Sequence, residues 1–286
     1  MRNLLLTTMA AGLLLSSCTK ETAPLNDHNA GASAAMVAGL HPGSSAKVLG
    51  MPGGKVYTGP EVSFKKGKVT TLYQVDDAAH PLRLAISINN DAWNSLDMPA
   101  PGGSNNISPN TVILPFHPKV DARIFNHAEL DWNPNGHEPV QIYGKPHFDF
   151  HFYNVSLAYV DAIPPYDLAP AKFDNWPALD YLPANYINPG GGVPQMGCHW
   201  VDTTSAEFTP QGFGQTFIYG TYDGKVTFLE PMITKAFFET HPEFKRSIPQ
   251  PKKVAISGYY PTMVEIQKTT EGYLVILEDF VYREAS

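Results

Sequence analysis

The segment Pro146–Tyr153 reads PHFDFHFY and alternates ionisable with aromatic residues. Side chains of an extended strand alternate between its two faces. His147, Asp149 and His151 therefore share one face, and Phe148, Phe150 and Phe152 share the other. Imidazoles and a carboxylate at i, i+2 and i+4 on an anchored strand are donors that divalent metals accept. The same row also suits a hydrogen-bonded polar face in which Asp149 orients two imidazoles. Other segments add donors. Gly136-His137-Glu138-Pro139 lies just upstream and reaches the row if the chain turns at Tyr143-Gly144. Met196–Trp200 supplies His199, and Leu229-Glu230-Pro231 ends an apolar strand with a carboxylate. The candidate metal ligands are His137, His147, His151 and His199. The candidate acid, base or orienting carboxylates are Glu138, Asp149 and Glu230. His28, His41, His80, His117, His127 and His241 lack such company and read as surface or capping residues.

Three chemistries fit these donors. Zinc on two or three histidines, with one open position, lowers the pKa of bound water toward about 7 and points to a hydrolase or lyase. Iron or manganese is the next choice of metal. His147 and Asp149 with a distant His199 have the form of a two-histidine, one-carboxylate facial triad, as in Fe(II) oxygenases. No arginine lies between His199 and Arg246 to anchor a 2-oxo acid cosubstrate. The third reading is a non-enzymatic surface protein that binds a ligand or self-assembles, with a structural His/Asp cluster. Neither an HExxH helix nor a GxSxG elbow occurs in the sequence.

The elements that must position these donors are mostly strands. Lys68–Val75, Leu82–Ile88, Val112–Pro115, Phe148–Val160, Gln215–Tyr219, Lys225–Leu229, Met263–Gln267 and Tyr273–Phe280 are β-branched or apolar runs bounded by turn formers. The last two flank Lys268–Gly272 as a hairpin. Helix is expected only as a turn at Ala92–Leu96 and over Ile233–Thr240. The fold class is mainly β, a sandwich or barrel with long Pro/Gly-rich loops and one or two short helices. Gly67-Lys68-Val69-Thr70 recurs as Gly224-Lys225-Val226-Thr227, a short match compatible with two β-modules. Residues 163–195 form a long Pro/Gly/aromatic loop of the kind that covers sites. Tyr166, Trp176, Tyr181 and Tyr186 are its candidate substrate-stacking residues, with plain loop packing as the alternative.

Residues 1–17 combine Arg2 with a short apolar run ending Leu15-Ser16-Ser17-Cys18. That run is too short to span a bilayer and reads as a signal peptide. The closing residues resemble a bacterial lipobox, which implies lipidation of Cys18 and placement in the cell envelope, facing periplasm or exterior. Residues 18–46 read as a polar tether, and 47–286 as the folded domain. Cys198 is then the one remaining cysteine, so no internal disulfide is expected. The chain has 286 residues, a net charge of −7 and no Lys/Arg cluster, which excludes nucleic acid as a partner. The expected membrane contact is the lipid anchor alone; a small-molecule ligand and a homo-oligomer are compatible with the sequence.

WNPNGHEP (132–139), YGKPHFDFHFY (143–153), MGCHWVD (196–202) and GKVTFLEPMIT (224–234) resemble the signature blocks of an uncharacterised family of exported bacterial proteins. The resemblance spans the chain from about Lys47 to the C-terminus. It implies one fold and one shared site, and no reaction. It also implies an apolar residue at the position of Cys198, which argues against a Cys–His nucleophile.

Overall fold

The computed structural model describes residues 54–98 and 110–286. The expected signal peptide, Cys18 and the tether lie outside these residues. In chain order the strands are β1 (Lys55–Thr58), β2 (Val62–Phe64), β3 (Gly67–Val75), β4 (Pro81–Asn89), β5 (Thr111–Pro115), β6 (His127–Asn133), β7 (His147–Tyr153), β8 (Tyr186–Ile187), β9 (Cys198–Asp202), β10 (Gln215–Tyr222), β11 (Lys225–Thr234), β12 (Glu243–Ser247), β13 (Gly258–Tyr260), β14 (Met263–Lys268), β15 (Gly272–Glu278) and β16 (Val281–Arg283). The α-helices are single turns: α1 (Asn90–Asn94), α2 (Val140–Tyr143), α3 (Leu157–Asp161), α4 (Pro170–Phe173) and α5 (Lys235–Thr240).

Two open antiparallel sheets carry the fold. The first runs β1-β3-β4-β15-β14-β12, with β2 also on β3; the second runs β5-β6-β7-β11-β10-β9-β8. They form a sandwich and not a barrel. β14 and β15 make the expected hairpin. The β10–β11 hairpin turns through Asp223 and Gly224, both at positive φ, as a tight two-residue loop requires.

The core between the sheets follows the period of two. Phe148, Phe150 and Phe152 are fully buried there, against Leu84, Ile86, Val275 and Leu277 of the first sheet. The expected strand at Phe148–Val160 ends at Tyr153 instead. Ser156 accepts a hydrogen bond from the Tyr159 N–H and starts α3, so local capping stops the strand. The helix expected from Ile233 begins two residues later, at Lys235. There Thr234 caps α5 through the Phe237 N–H, and Ile233 stays in β11.

A second apolar cluster lies on the other face of the second sheet. Tyr153, Val201, Phe228 and Met232 from the sheet meet Tyr143 of α2, Val160 of α3 and Phe213 from the chain before β10. β7 is therefore buried along its whole length, on both faces.

Candidate functional site

Strand register places the polar residues of three neighbouring strands on this covered face. β6 pairs with β7 so that Asn133 faces His147, Asp131 faces Asp149, Glu129 faces His151 and His127 faces Tyr153. β11 pairs with β7 so that Met232 faces Asp149 and Thr234 faces His147, which brings Glu230 beside His151. On β9, His199 lies across from Gly220 of β10. His137 arrives from the turn after β6. That turn is closed by a Gly136 N–H to Asn133 carbonyl bond and by α2. Gly136 sits at φ +70, and a Cβ there would lie 2.1 Å from the Tyr143 carbonyl, so the turn needs glycine.

The four candidate histidines separate into two sets, each with its own carboxylate. In the first, His137 Nε2 is 3.4 Å from Asp149 Oδ2, and His147 Nε2 is 3.1 Å from Asp149 Oδ1. Each imidazole is tied on its far side, His137 Nδ1 to the Glu138 carbonyl at 2.8 Å and His147 Nδ1 to the Lys145 carbonyl at 2.6 Å. Carbonyls only accept, so both Nδ1 atoms carry hydrogen and a neutral ring presents a lone pair at Nε2. Asn133 Nδ2 donates to Asp149 Oδ2 at 2.8 Å and orients the carboxylate. In the second set, His151 Nε2 is 3.4 Å from Glu230 Oε1, and His199 Nε2 is 3.6 Å from Glu230 Oε2. His151 turns its other nitrogen toward Asp131 Oδ2, also at 3.4 Å. Glu129, Asp131 and His151 form a further group of convergent donors.

The contacts inside each set are ion-pair distances, and several of the atoms involved lack an aligned hydrogen bond. His147 Nε2, Asp149 Oδ1, both nitrogens of His151 and Glu230 Oε2 are buried with no hydrogen-bond partner. Buried polar atoms left this way are costly. Donor atoms that share one tetrahedral ion at about 2.0–2.1 Å lie about 3.3 Å apart, close to the spacing seen here.

Protonation follows from the same crowding. Burial opposes ionisation of Asp149, but His147 and His137 outweigh it and hold the carboxyl well below its ordinary range. Burial likewise opposes charge on His137, and Asp149 prevails and lifts it to about 9. Burial also opposes charge on His151, yet Glu230 and Asp131 raise it. Burial pushes Glu230 up to about 8, so this pair retains a proton near neutral pH. Burial, with His151 and His137, pushes His199 down to about 3 and keeps it neutral.

The expected grouping of His147, Asp149 and His199 is not formed; His137 stands beside His147 and Asp149, because β9 carries His199 to Glu230. The Glu138 side chain is exposed and accepts the Val140 N–H, which places it in the turn and outside both sets. The loop aromatics do not gather at the donors. Tyr166 donates to the Asp174 carboxylate, Tyr181 to the Ser286 carbonyl and Tyr186 to the Phe217 carbonyl. Trp176 is 46% exposed and meets Trp200 edge-on. His127 is not a surface residue. It is buried and stacked on Tyr153 at 4.8 Å, because β6 is an interior strand. Burial and His151 push its pKa down to about 4. The sequence reading also passed over Glu129, Asp131 and Asn133. Their signal was the period of two in HAELDWN, the same as in the neighbouring strand.

Residues 76–132 match a family described as TTHB210-like, hypothetical protein TTHB210. This supports a likeness to an uncharacterised family. The matched stretch holds Glu129 and Asp131 but stops before all four candidate histidine ligands. Neither the curated proteins nor the solved structures compared with the chain gave a match.

Proposed function

We propose that this chain is a lipid-anchored protein of the bacterial envelope that binds a divalent metal through His137, His147 and Asp149 and uses it for hydrolytic or hydration chemistry. One observation carries the reading. Three donors, each held by its own hydrogen bond to Asn133, the Glu138 carbonyl or the Lys145 carbonyl, bring ligand atoms within ion-pairing distance of one another, and buried His147 Nε2 and Asp149 Oδ1 lack an aligned hydrogen bond. That arrangement matches metal ligands oriented by their surroundings. Zinc fits the two imidazoles and carboxylate best, with iron or manganese next. Three protein ligands leave a position for water, which zinc acidifies toward about 7. The His137 side chain is 34% exposed, so the set has an edge that small molecules reach. Buried His147 and Asp149 hold the inner side rigid.

The test is elemental mass spectrometry of the full chain, extracted in detergent and carrying no polyhistidine tag. Near-stoichiometric zinc, iron or manganese in the wild type, reduced in His137→Ala and in Asp149→Asn, is the expected result. A wild type that stays metal-free after incubation with all three ions overturns the reading and leaves a structural polar network. Envelope placement is tested apart, by labelled palmitate incorporation, expected in the wild type and abolished by Cys18→Ala. Equal labelling of both overturns it.

A further inference from the structure

We infer that His151, His199 and Glu230 hold a second divalent ion, which makes the centre dinuclear and its ligand an oxyanion that touches both ions. The inference rests on the proposed function and extends it. Its ground is the position of Glu230. The residue is 1% exposed, and its carboxylate has no lysine or arginine within ion-pairing distance among the described residues. Each of its oxygens faces one imidazole nitrogen, at 3.4 and 3.6 Å. Glu230 Oε2 and His151 Nε2 have no hydrogen-bond partner although both are buried. Two imidazoles on one carboxylate repeat the composition of the first set.

Orientation repeats as well. Asp131 stands behind His151 Nδ1, and its other oxygen accepts from the Thr111 hydroxyl. A carboxylate behind an imidazole is the usual partner of a metal-bound histidine. The Phe228 ring packs against both His151 and His199, with centroids 4.9 and 5.2 Å away, and shields the site from that side. The His199 side chain is 23% exposed, which gives an ion a way in.

Each set also carries a carboxylate of its own, Asp149 in the first and Glu230 in the second. Spacing then sets the ligand class. Asp149 and His151 are two residues apart on one strand, so their Cα atoms stand about 6.6 Å apart. That backbone spacing keeps the two sets side by side on one face, within the reach of one polyatomic oxyanion such as phosphate.

Metal stoichiometry of the full chain after saturation with zinc and removal of free ion decides the question. Two ions per wild-type chain are expected, with one in His199→Ala, one in Glu230→Gln and one in His137→Ala. One ion per wild-type chain overturns this inference and leaves the first site standing; none overturns both. His199 is partly exposed, and far-UV circular dichroism establishes that its variant folds. Inorganic phosphate is the oxyanion probe. Calorimetry is expected to show its affinity falling at least tenfold in His199→Ala and in His137→Ala alike. An affinity unchanged in either variant overturns the two-ion ligand.

Discussion

Gly220→Ala is the sharpest perturbation the structure offers. An added Cβ would lie 2.1, 2.2 and 2.3 Å from three ring atoms of Phe228. Carbon atoms in contact settle at about 3.5–4.0 Å, so the ring must retreat by about 1.5 Å. Phe228 is fully buried, with its ring against Tyr153, His151 and His199. Overpacking of this kind costs about 1–3 kcal/mol. For a domain of this size each kcal/mol moves Tm by about 2–4 °C, so a fall of about 2–12 °C is expected. The assays are thermal melts and urea titrations of the wild type, Gly220→Ala, Phe228→Leu and the double variant. Leucine gives up part of the ring volume, so the double variant should be at least about 0.5 kcal/mol more stable than the sum of the single effects. Strict additivity, or a Gly220→Ala variant within about 0.5 kcal/mol of wild type, refutes the packing argument.

Four further outcomes are expected. Phe150→Ala empties a fully buried site in the central core and should cost about 3–5 kcal/mol, read from the urea midpoint. Asn133→Ala releases Asp149 from its 2.8 Å hydrogen bond and should weaken zinc binding about 10–100-fold in a competition assay. Zinc at about 100 times its Kd should stabilise the wild type by about 2.7 kcal/mol for each ion bound, an effect lost on chelation. In metal-free protein, His137 and Glu230 are raised to about 9 and 8 from ordinary values of 6.5 and 4.5. The folded state therefore holds more protons than the unfolded one. This contribution is complete below the unfolded values and is lost as pH rises through the folded ones. The urea midpoint should fall between pH 6.5 and 9, and a midpoint that rises there contradicts the assignment.

The legible parts of the sequence were those whose pattern sits within one element. PHFDFHFY gave both the aromatic core face and the polar face of β7, because that strand is covered on both sides by different chemistry. HAELDWN carried the same alternation and passed unread, since His, Glu and Asp on a strand ordinarily suggest its solvent side. The division of the histidines was not legible. Whether His199 joins Asp149 or Glu230 depends on the β9–β10–β11–β7 pairing register, which arises only from long-range contacts. Three of the short helices, α2, α3 and α4, escaped for a related reason. α3 rests on one serine cap after a strand-like run, where a local hydrogen bond outweighs β propensity.

The apolar cover of the polar face comes from two connections, residues 134–146 with Tyr143 and residues 154–214 with Val160 and Phe213, while His147, Asp149, His151 and Glu230 stand on β7 and β11 outside them. Supporting residues and covering residues are thus separately inherited text. Insertions, deletions and exchanges in the cover can accumulate without disturbing the β6–β7–β11 register. His137 in the first connection and His199 on β9 in the second are the donors these connections carry. Divergence within such a lineage should therefore reach His137 and His199, one member of each donor set, before it reaches the members borne on β7 and β11. Each set is tied through one histidine to whichever cover the chain happens to wear.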